Sequence, residues 1–168
     1  MSRLERLVAE VRPGLVLHSL AVHDDEVVLA GGGEVFRLPL APSGAERLSV
    51  LVRALPVLRT RLPVAVAVPR WVGVMPDGST PFTAEPLLPG VPARELGSIA
   101  VGQRAGVAAA LADVPAREAA QWGLTGSGGR LLATATLLTD PGRGVLTGAV
   151  GWQLRLGDDP GPEDLVET

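Results

Sequence analysis

Residues 26–39, with the sequence EVVLAGGGEVFRLP, decide the architecture of the first half of the chain. Residues 26–30 and 34–38 are two short, mainly apolar stretches, and they flank three consecutive glycines. A glycine turn between two such stretches is typical of two antiparallel strands joined by a tight connection. Pro39 has no backbone N–H and predicts the end of the second strand. The stretch therefore predicts a β-hairpin.

Helices and further strands are predicted around this hairpin. Apolar residues recur at helical spacing over residues 3–11, and Pro13-Gly14 follows them as a stop. Ser43 and Glu46 resemble a capping box that starts a helix over residues 43–61, which Pro56 should kink or restart. The strands predicted in this half, besides the hairpin, lie at residues 15–22, at residues 64–74 with a break at Pro69, and at residues 80–88.

After Pro92 the sequence becomes rich in alanine, and helices replace strands. The predicted elements are a helix over residues 96–111, a short helix after Pro115, a linker at residues 125–129, a hairpin of residues 131–139 and 145–152, and an acidic tail over residues 157–168. We expect the tail to be mobile or loosely docked. Strands followed by helices predict one α+β domain, divided into residues 1–90, residues 91–156 and the tail.

Composition excludes several kinds of chemistry. The chain has 168 residues and a formal charge of −3, all 15 of its basic residues are arginine, and it has two histidines and no cysteine. Thiolate sites and disulfides are excluded, a catalytic zinc site is disfavoured, and no basic stripe indicates nucleic-acid binding. The first residues lack an apolar signal region, and no apolar run is long enough to span a bilayer. We therefore expect a cytoplasmic protein without a nucleic-acid or membrane partner.

The order of several motifs resembles the aminoglycoside and macrolide phosphotransferases. Residues 34–39 (EVFRLP) resemble the third strand of that family, and residues 82–90 (FTAEPLLPG) are similar to its hinge segment. Residues 148–152 (GAVGW) are similar to its metal-binding strand. The resemblance extends over nearly the whole chain and implies a reduced protein-kinase-like fold: an antiparallel sheet with one helix, a hinge, and a minimal helical part with a β-hairpin.

The resemblance also implies candidate ligand-binding residues. Arg37 lies where the family places its phosphate-contacting basic residue, although a solvent-facing strand arginine is the alternative. Glu85 and Leu87 lie on the hinge-like segment, whose backbone faces a planar ligand in kinase-like proteins. Trp152 lies at the end of the implied cleft, where it either lines a pocket or anchors the core.

Where the sequence departs from the family pattern, catalytic groups are missing. Residues 131–138 (LLATATLL) match the catalytic loop but contain no carboxylate, amide or histidine. Gly151 replaces the magnesium-binding aspartate, and Ala112 replaces the helix histidine. Phosphoryl transfer needs a proton acceptor and metal ligands. The resemblance therefore implies a shortened, degenerate member that binds no metal or cofactor and is not an active kinase.

Three functional hypotheses follow. The first is a non-catalytic module that binds a small apolar ligand or a protein, with a homodimer or another protein as partner. The second is a repurposed enzyme of another reaction class acting on an apolar substrate, with His23, Asp24 and Glu85 as catalytic candidates, because histidine titrates near neutral pH. The third is a surviving ATP-dependent antibiotic phosphotransferase.

Overall fold

The computed structural model describes residues 1–93, 101–124, 128–157 and 165–167. The helices are α1 (Arg3–Val11), α2 (Pro42–Arg59), α3 (Val101–Ala112) and α4 (Ala116–Gln121). The strands are β1 (His18–Val22), β2 (Glu26–Gly31), β3 (Glu34–Pro39), β4 (Ala65–Val66), β5 (Arg70–Val74), β6 (Pro81–Pro86), β7 (Val91–Pro92), β8 (Arg130–Asp140), β9 (Val145–Gly157) and β10 (Leu165–Glu167). The chain divides into two units: Met1–Val52 with Val68–Leu87, and Arg53–Ala67 with Leu88–Thr168.

The first unit contains an antiparallel sheet with the strand order β1-β2-β3-β6-β5. The predicted hairpin is its centre, because β2 pairs with β3 from Glu26↔Pro39 to Gly31↔Glu34. The connection consists of Gly32 and Gly33, whose φ angles are 59° and 80°. Only glycine adopts this left-handed backbone readily, so the glycine run of the sequence is what makes the tight turn possible.

Helix α1 covers one face of this sheet, as its amphipathic sequence predicts. Val8 is fully buried against a core that includes Phe36, Leu38 and Phe82. The helix begins at Ser2, whose hydroxyl accepts a hydrogen bond from the Glu5 amide while the Glu5 carboxylate accepts one from the Ser2 amide. This is the capping box of the chain, and it stands one helix earlier than the sequence predicts.

Helix α2 differs from its prediction at its start and at Pro56. It begins at Pro42, a residue whose fixed φ suits the first helical turn, so Ser43 is not the cap. The Ser43 hydroxyl instead donates to the Asp25 carboxylate at 3.3 Å. The helix continues through Pro56 without a restart, because residues on both sides of the proline, including Leu55 and Leu58, are buried and stabilise the helical path.

The second unit contains a mixed sheet with the order β10-β8-β9-β4, and β7 also pairs with β8. The predicted hairpin is confirmed and is longer than expected, since β8 and β9 pair from Arg130↔Gly157 to Asp140↔Val145. The break at Pro69 is confirmed as well, and it separates β4 in this sheet from β5 in the first unit.

The remaining expectations fall partly outside the described residues. Residues 94–100 of the predicted helix, residues 125–127 of the linker and residues 158–164 and 168 of the tail belong to that part. The described end of the tail is β10, which pairs in parallel with β8. Among the described helices, none has the length and apolar character that crossing a membrane requires.

Gly44 lets the first turn of α2 approach the backbone of Asp25, the residue just before β2. A Cβ atom built on Gly44 would overlap the carbonyl oxygen of Asp25. We expect Gly44→Ala to lower the free energy of unfolding by about 1–3 kcal/mol, because backbone cannot give way to an added methyl group. Chemical denaturation followed by circular dichroism measures this change.

The matched control is another helical glycine, Gly106 of α3. Its nearest neighbour for an added Cβ is the Pro63 side chain at 3.8 Å, so there is room for a methyl group. Gly106→Ala should raise the unfolding free energy by about 0.5–1 kcal/mol, since alanine loses less backbone entropy in a helix. Equal effects of the two substitutions would contradict the close approach at Gly44.

Candidate functional site

Arg37 lies in the middle of the sheet of the first unit, on the face opposite α1. Its strand neighbours across the sheet are Val28 on β2 and Thr83 on β6. Side chains alternate between the two faces of a strand, so Glu26 of β2 and Glu85 of β6 point to the same face as Arg37. The strand register therefore brings one arginine between two glutamates.

Both glutamates bind the Arg37 guanidinium directly. Arg37 Nη1 donates to Glu26 Oε1 at 2.9 Å, while Nε and Nη2 both lie 3.1 Å from Glu85 Oε1. The side chains of Arg37, Glu26 and Glu85 are only 14%, 3% and 5% exposed. The alternative prediction of a solvent-facing strand arginine is therefore wrong, because the Arg37 side chain is mostly shielded from solvent and each of its side-chain nitrogens faces a carboxylate oxygen.

Helix α2 extends this cluster through Arg47. Arg47 donates to the second oxygen of Glu26, Oε2, and its Nη1 donates to Asp25 Oδ2 at 2.7 Å. Positive and negative groups thus alternate in what we call the ion network, which consists of Asp25, Arg47, Glu26, Arg37 and Glu85. The network contains three carboxylates and two guanidinium groups, so it carries one formal negative charge in excess.

The pKa values of Glu85 and Asp25, the two ends of the ion network, are shifted in opposite directions. Burial raises the pKa of the Glu85 carboxyl, and the attraction of Arg37 does not fully offset this effect. The hydrogen bond from Arg47 lowers the pKa of Asp25. Burial alone would lower the pKa of Arg37, but the attraction of Glu85 and Glu26 outweighs it and raises that pKa. As the pH falls, Glu85 therefore takes up a proton before Asp25 does.

The other predicted site residues lie apart from the network. His23 and Asp24 are exposed in the β1–β2 connection, and among the described residues neither side chain makes a hydrogen bond. Leu87 is half exposed after the end of β6, where its amide donates to the Gly33 carbonyl at 2.8 Å. Trp152 belongs to the second unit, where it is buried and its Nε1 donates to the Ala149 carbonyl at 3.1 Å.

The positions that match the catalytic loop and the metal-binding strand lie in the β8–β9 hairpin. Residues 131–138 form part of β8 rather than a loop, and most of them are buried. Gly151 lies in β9 with a φ angle of 66°, a conformation that an L-residue such as aspartate adopts only at a cost. Among the residues that the structure describes, no group of three His, Cys, Asp or Glu side chains is placed to hold a metal ion.

Two members of the ion network, Arg37 and Glu85, were predicted from the sequence as ligand-binding residues. Their salt bridge with each other was not predicted. Glu26 and Arg47 did not stand out in the sequence. One feature of the sequence could have indicated the network: Glu26 is the single charged residue in the otherwise apolar strand at residues 26–30. A carboxylate on the inward face of a buried strand needs a cationic partner, and this requirement points to Arg37 on the neighbouring strand.

The ion network predicts a large loss of stability when its central cation is removed. Arg37→Met leaves Glu26 and Glu85 buried without their shared partner, which should lower the unfolding free energy by about 3–5 kcal/mol. Urea denaturation at neutral pH measures the loss. The matched control is Arg70→Met, because Arg70 is 66% exposed and pairs with Glu34 at 2.8 Å. That substitution should cost at most about 1 kcal/mol, and equal losses would contradict a structural role for Arg37.

Glu85 predicts a dependence of stability on pH. Because its pKa is raised in the folded state, the folded protein holds the proton more tightly than the unfolded chain. The stabilisation from this proton is complete below the ordinary value of 4.5 and is lost as the pH rises through the raised value. The difference in unfolding free energy between wild type and Glu85→Gln should therefore fall over this range. A difference that stays constant or grows with pH, in parallel urea titrations, would refute the assignment.

No protein-family model and no curated protein sequence matches this chain. Solved structures do match its fold. The GDP and kanamycin complex of the aminoglycoside phosphotransferase APH(2'')-IIIa aligns with a TM-score of 0.60 and 21% identity, over 74% of this chain and 46% of that one. The macrolide 2'-phosphotransferase MphH from Brachybacterium faecium aligns with a TM-score of 0.51 and 30% identity, over 74% and 47%.

The chain spans just under half the length of these two phosphotransferases. Over the shared part, the α+β architecture with a five-stranded antiparallel sheet and a smaller mixed sheet agrees with the architecture that the sequence motifs predicted. The resemblance predicted from those motifs is thereby confirmed, and the chain has a kinase-like fold similar to that of the aminoglycoside and macrolide phosphotransferases.

Proposed function

We propose that the kinase-like part of this chain is a non-catalytic binding module that does not transfer phosphate from a nucleoside triphosphate. One observation carries the proposal: Arg37, which the sequence resemblance assigns to the position of the phosphate-contacting cation, is only 14% exposed and is bound by Glu26 and Glu85. A phosphate group would have to displace these carboxylates. Their loss of a partner costs about 3–5 kcal/mol before any binding energy is gained.

The charge of the surroundings supports the same conclusion. The ion network has one more carboxylate than guanidinium groups, so it repels a polyphosphate. Nucleotide-dependent enzymes offset this repulsion with metal ions held by carboxylate and amide groups. The stretch of β8 at residues 131–138 contains no such group, and Gly151 has no side chain to offer. Binding of a triphosphate is therefore disfavoured by both its charge and its metal requirement.

A small, mainly apolar ligand suits the sheet face beside Arg37 better. Thr83 is fully buried there, and its hydroxyl has no hydrogen-bond partner among the described residues. Val28, Ala30 and Val35 form a buried apolar cluster on the same face. An unsatisfied buried hydroxyl costs about 1–3 kcal/mol, which a ligand with one polar atom and an apolar body would recover.

Calorimetric titration with ATP or GTP and magnesium tests the proposal. We expect no saturable, magnesium-dependent heat up to about 1 mM nucleotide, the weak end of specific binding. Arg37→Met, measured at a temperature where it stays folded, should give the same flat titration. APH(2'')-IIIa with GDP is the positive control, since it is known as a GDP complex.

Magnesium-dependent binding by wild type that Arg37→Met abolishes would overturn the proposal. Phosphate transfer from either nucleotide to kanamycin or a macrolide would do so as well. Extraction of the purified protein followed by mass spectrometry searches for the apolar ligand directly. Its recovery from wild type and not from Thr83→Val would support the Thr83 site.

A further inference from the structure

The first unit carries a surface depression outside the ion network, and the larger part of this depression is mainly apolar. Its larger part has a volume of about 810 Å³ and lies between α1, the start of α2 and the β5–β6 turn. Its apolar walls include Leu4, Leu40, Pro42, Ala45, Met75 and Pro76. A second depression of about 470 Å³ shares Arg3, Met75 and Pro76 with it. We call the combined surface the α1–α2 groove.

Large apolar side chains are exposed in and beside this groove. Leu40 is 48% exposed and Val74 is 52% exposed. Single exposed apolar residues are common on protein surfaces, but a group of them around one concave region marks an interaction site. Burying this group is favourable by the hydrophobic effect, whatever the partner is.

The charges on the groove select the partner. On the α1 wall, Arg3 and Arg6 outnumber the single acid Glu10, and Glu46 lies on the α2 wall. Among the described residues, neither Arg3 nor Glu46 makes an ion pair. Asp77 adds a second acid beside the groove, with a pKa lowered to about 2 by hydrogen bonds within its own turn, the one from Thr80 first. A partner with one sign of charge would therefore meet a like charge on one of the two walls.

A second copy of the chain can place an opposite charge against each of the two walls at once. In a twofold dimer the same patch faces itself, so each contact occurs twice. Arg3 of each copy then meets Glu46 of the other, across the apolar side chains between them. We propose that the α1–α2 groove is the interface of an isologous homodimer of this chain. This inference does not depend on whether the protein binds nucleotide.

Charge reversal at the two walls tests the interface by sedimentation equilibrium. Wild type should be a dimer, and Arg3→Glu and Glu46→Arg should each weaken it at least about tenfold, since like charges face each other twice. An equimolar mixture of the two variants should restore the dimer. In that heterodimer the two substituted side chains form one contact with their charges exchanged, and the native Arg3 and Glu46 form the other. An attraction within one chain cannot produce this rescue.

Control variants separate this interface from other surfaces. Arg143→Glu reverses an 81% exposed charge on the β8–β9 turn and should leave the dimer unchanged. Leu20→Arg introduces a charge into the exposed edge strand β1 and should also leave it unchanged. A monomeric wild type at about 1 mM, the weak end of association, would overturn the proposal. So would a dimer broken by Leu20→Arg but not by Arg3→Glu, or a mixture that stays monomeric.

Discussion

The shared salt bridge of Arg37 with Glu26 and Glu85 is the interaction on which the sheet face opposite α1 depends. Glutamates buried on neighbouring strands are tolerated only when a cation neutralises them and fills their hydrogen-bonding capacity. Arg37 does this for both, because its planar guanidinium donates in several directions at once. Arg47 then occupies the free oxygen of Glu26 and ties the start of α2 to β2. The same charges thereby fix both the strands and the helix.

This arrangement is the physical basis for proposing that a kinase-like fold occurs here without kinase chemistry. A basic residue on the third strand is compatible with phosphate binding only while its donors remain available to the phosphate. Here the donors of Arg37 bind Glu26 and Glu85, and for this reason the proposed function does not include phosphate binding by Arg37. Fold similarity to the phosphotransferases therefore says little about activity, which depends on the partners of individual side chains.

Local patterns in the sequence predicted much of the fold. The glycine run and the two short apolar stretches at residues 26–39 specify a hairpin, because turn geometry and strand propensity are properties of a few neighbouring residues. The same reasoning failed at the start of α2, where Ser43 binds Asp25, a residue eighteen positions earlier. The restart that was one of the two outcomes predicted at Pro56 does not occur either, because burial of the surrounding helix outweighs the local penalty. Both differences arise from tertiary contacts, which a pattern of neighbouring residues cannot reveal.

The candidate site was harder to predict for the same physical reason. Arg37 and Glu85 are separated by 48 positions, and the contact between them exists only because β3 and β6 are neighbours in the sheet. A resemblance between motifs indicates only which residue types occur at which positions. The chemistry of an ionisable group depends on its burial and on its charged neighbours. Restoring a single missing metal ligand at Gly151 would leave the Arg37 donors bound to Glu26 and Glu85. If the proposed function is correct, phosphate binding would require changes in the strands themselves, and those changes would remove the salt bridges that stabilise the strands.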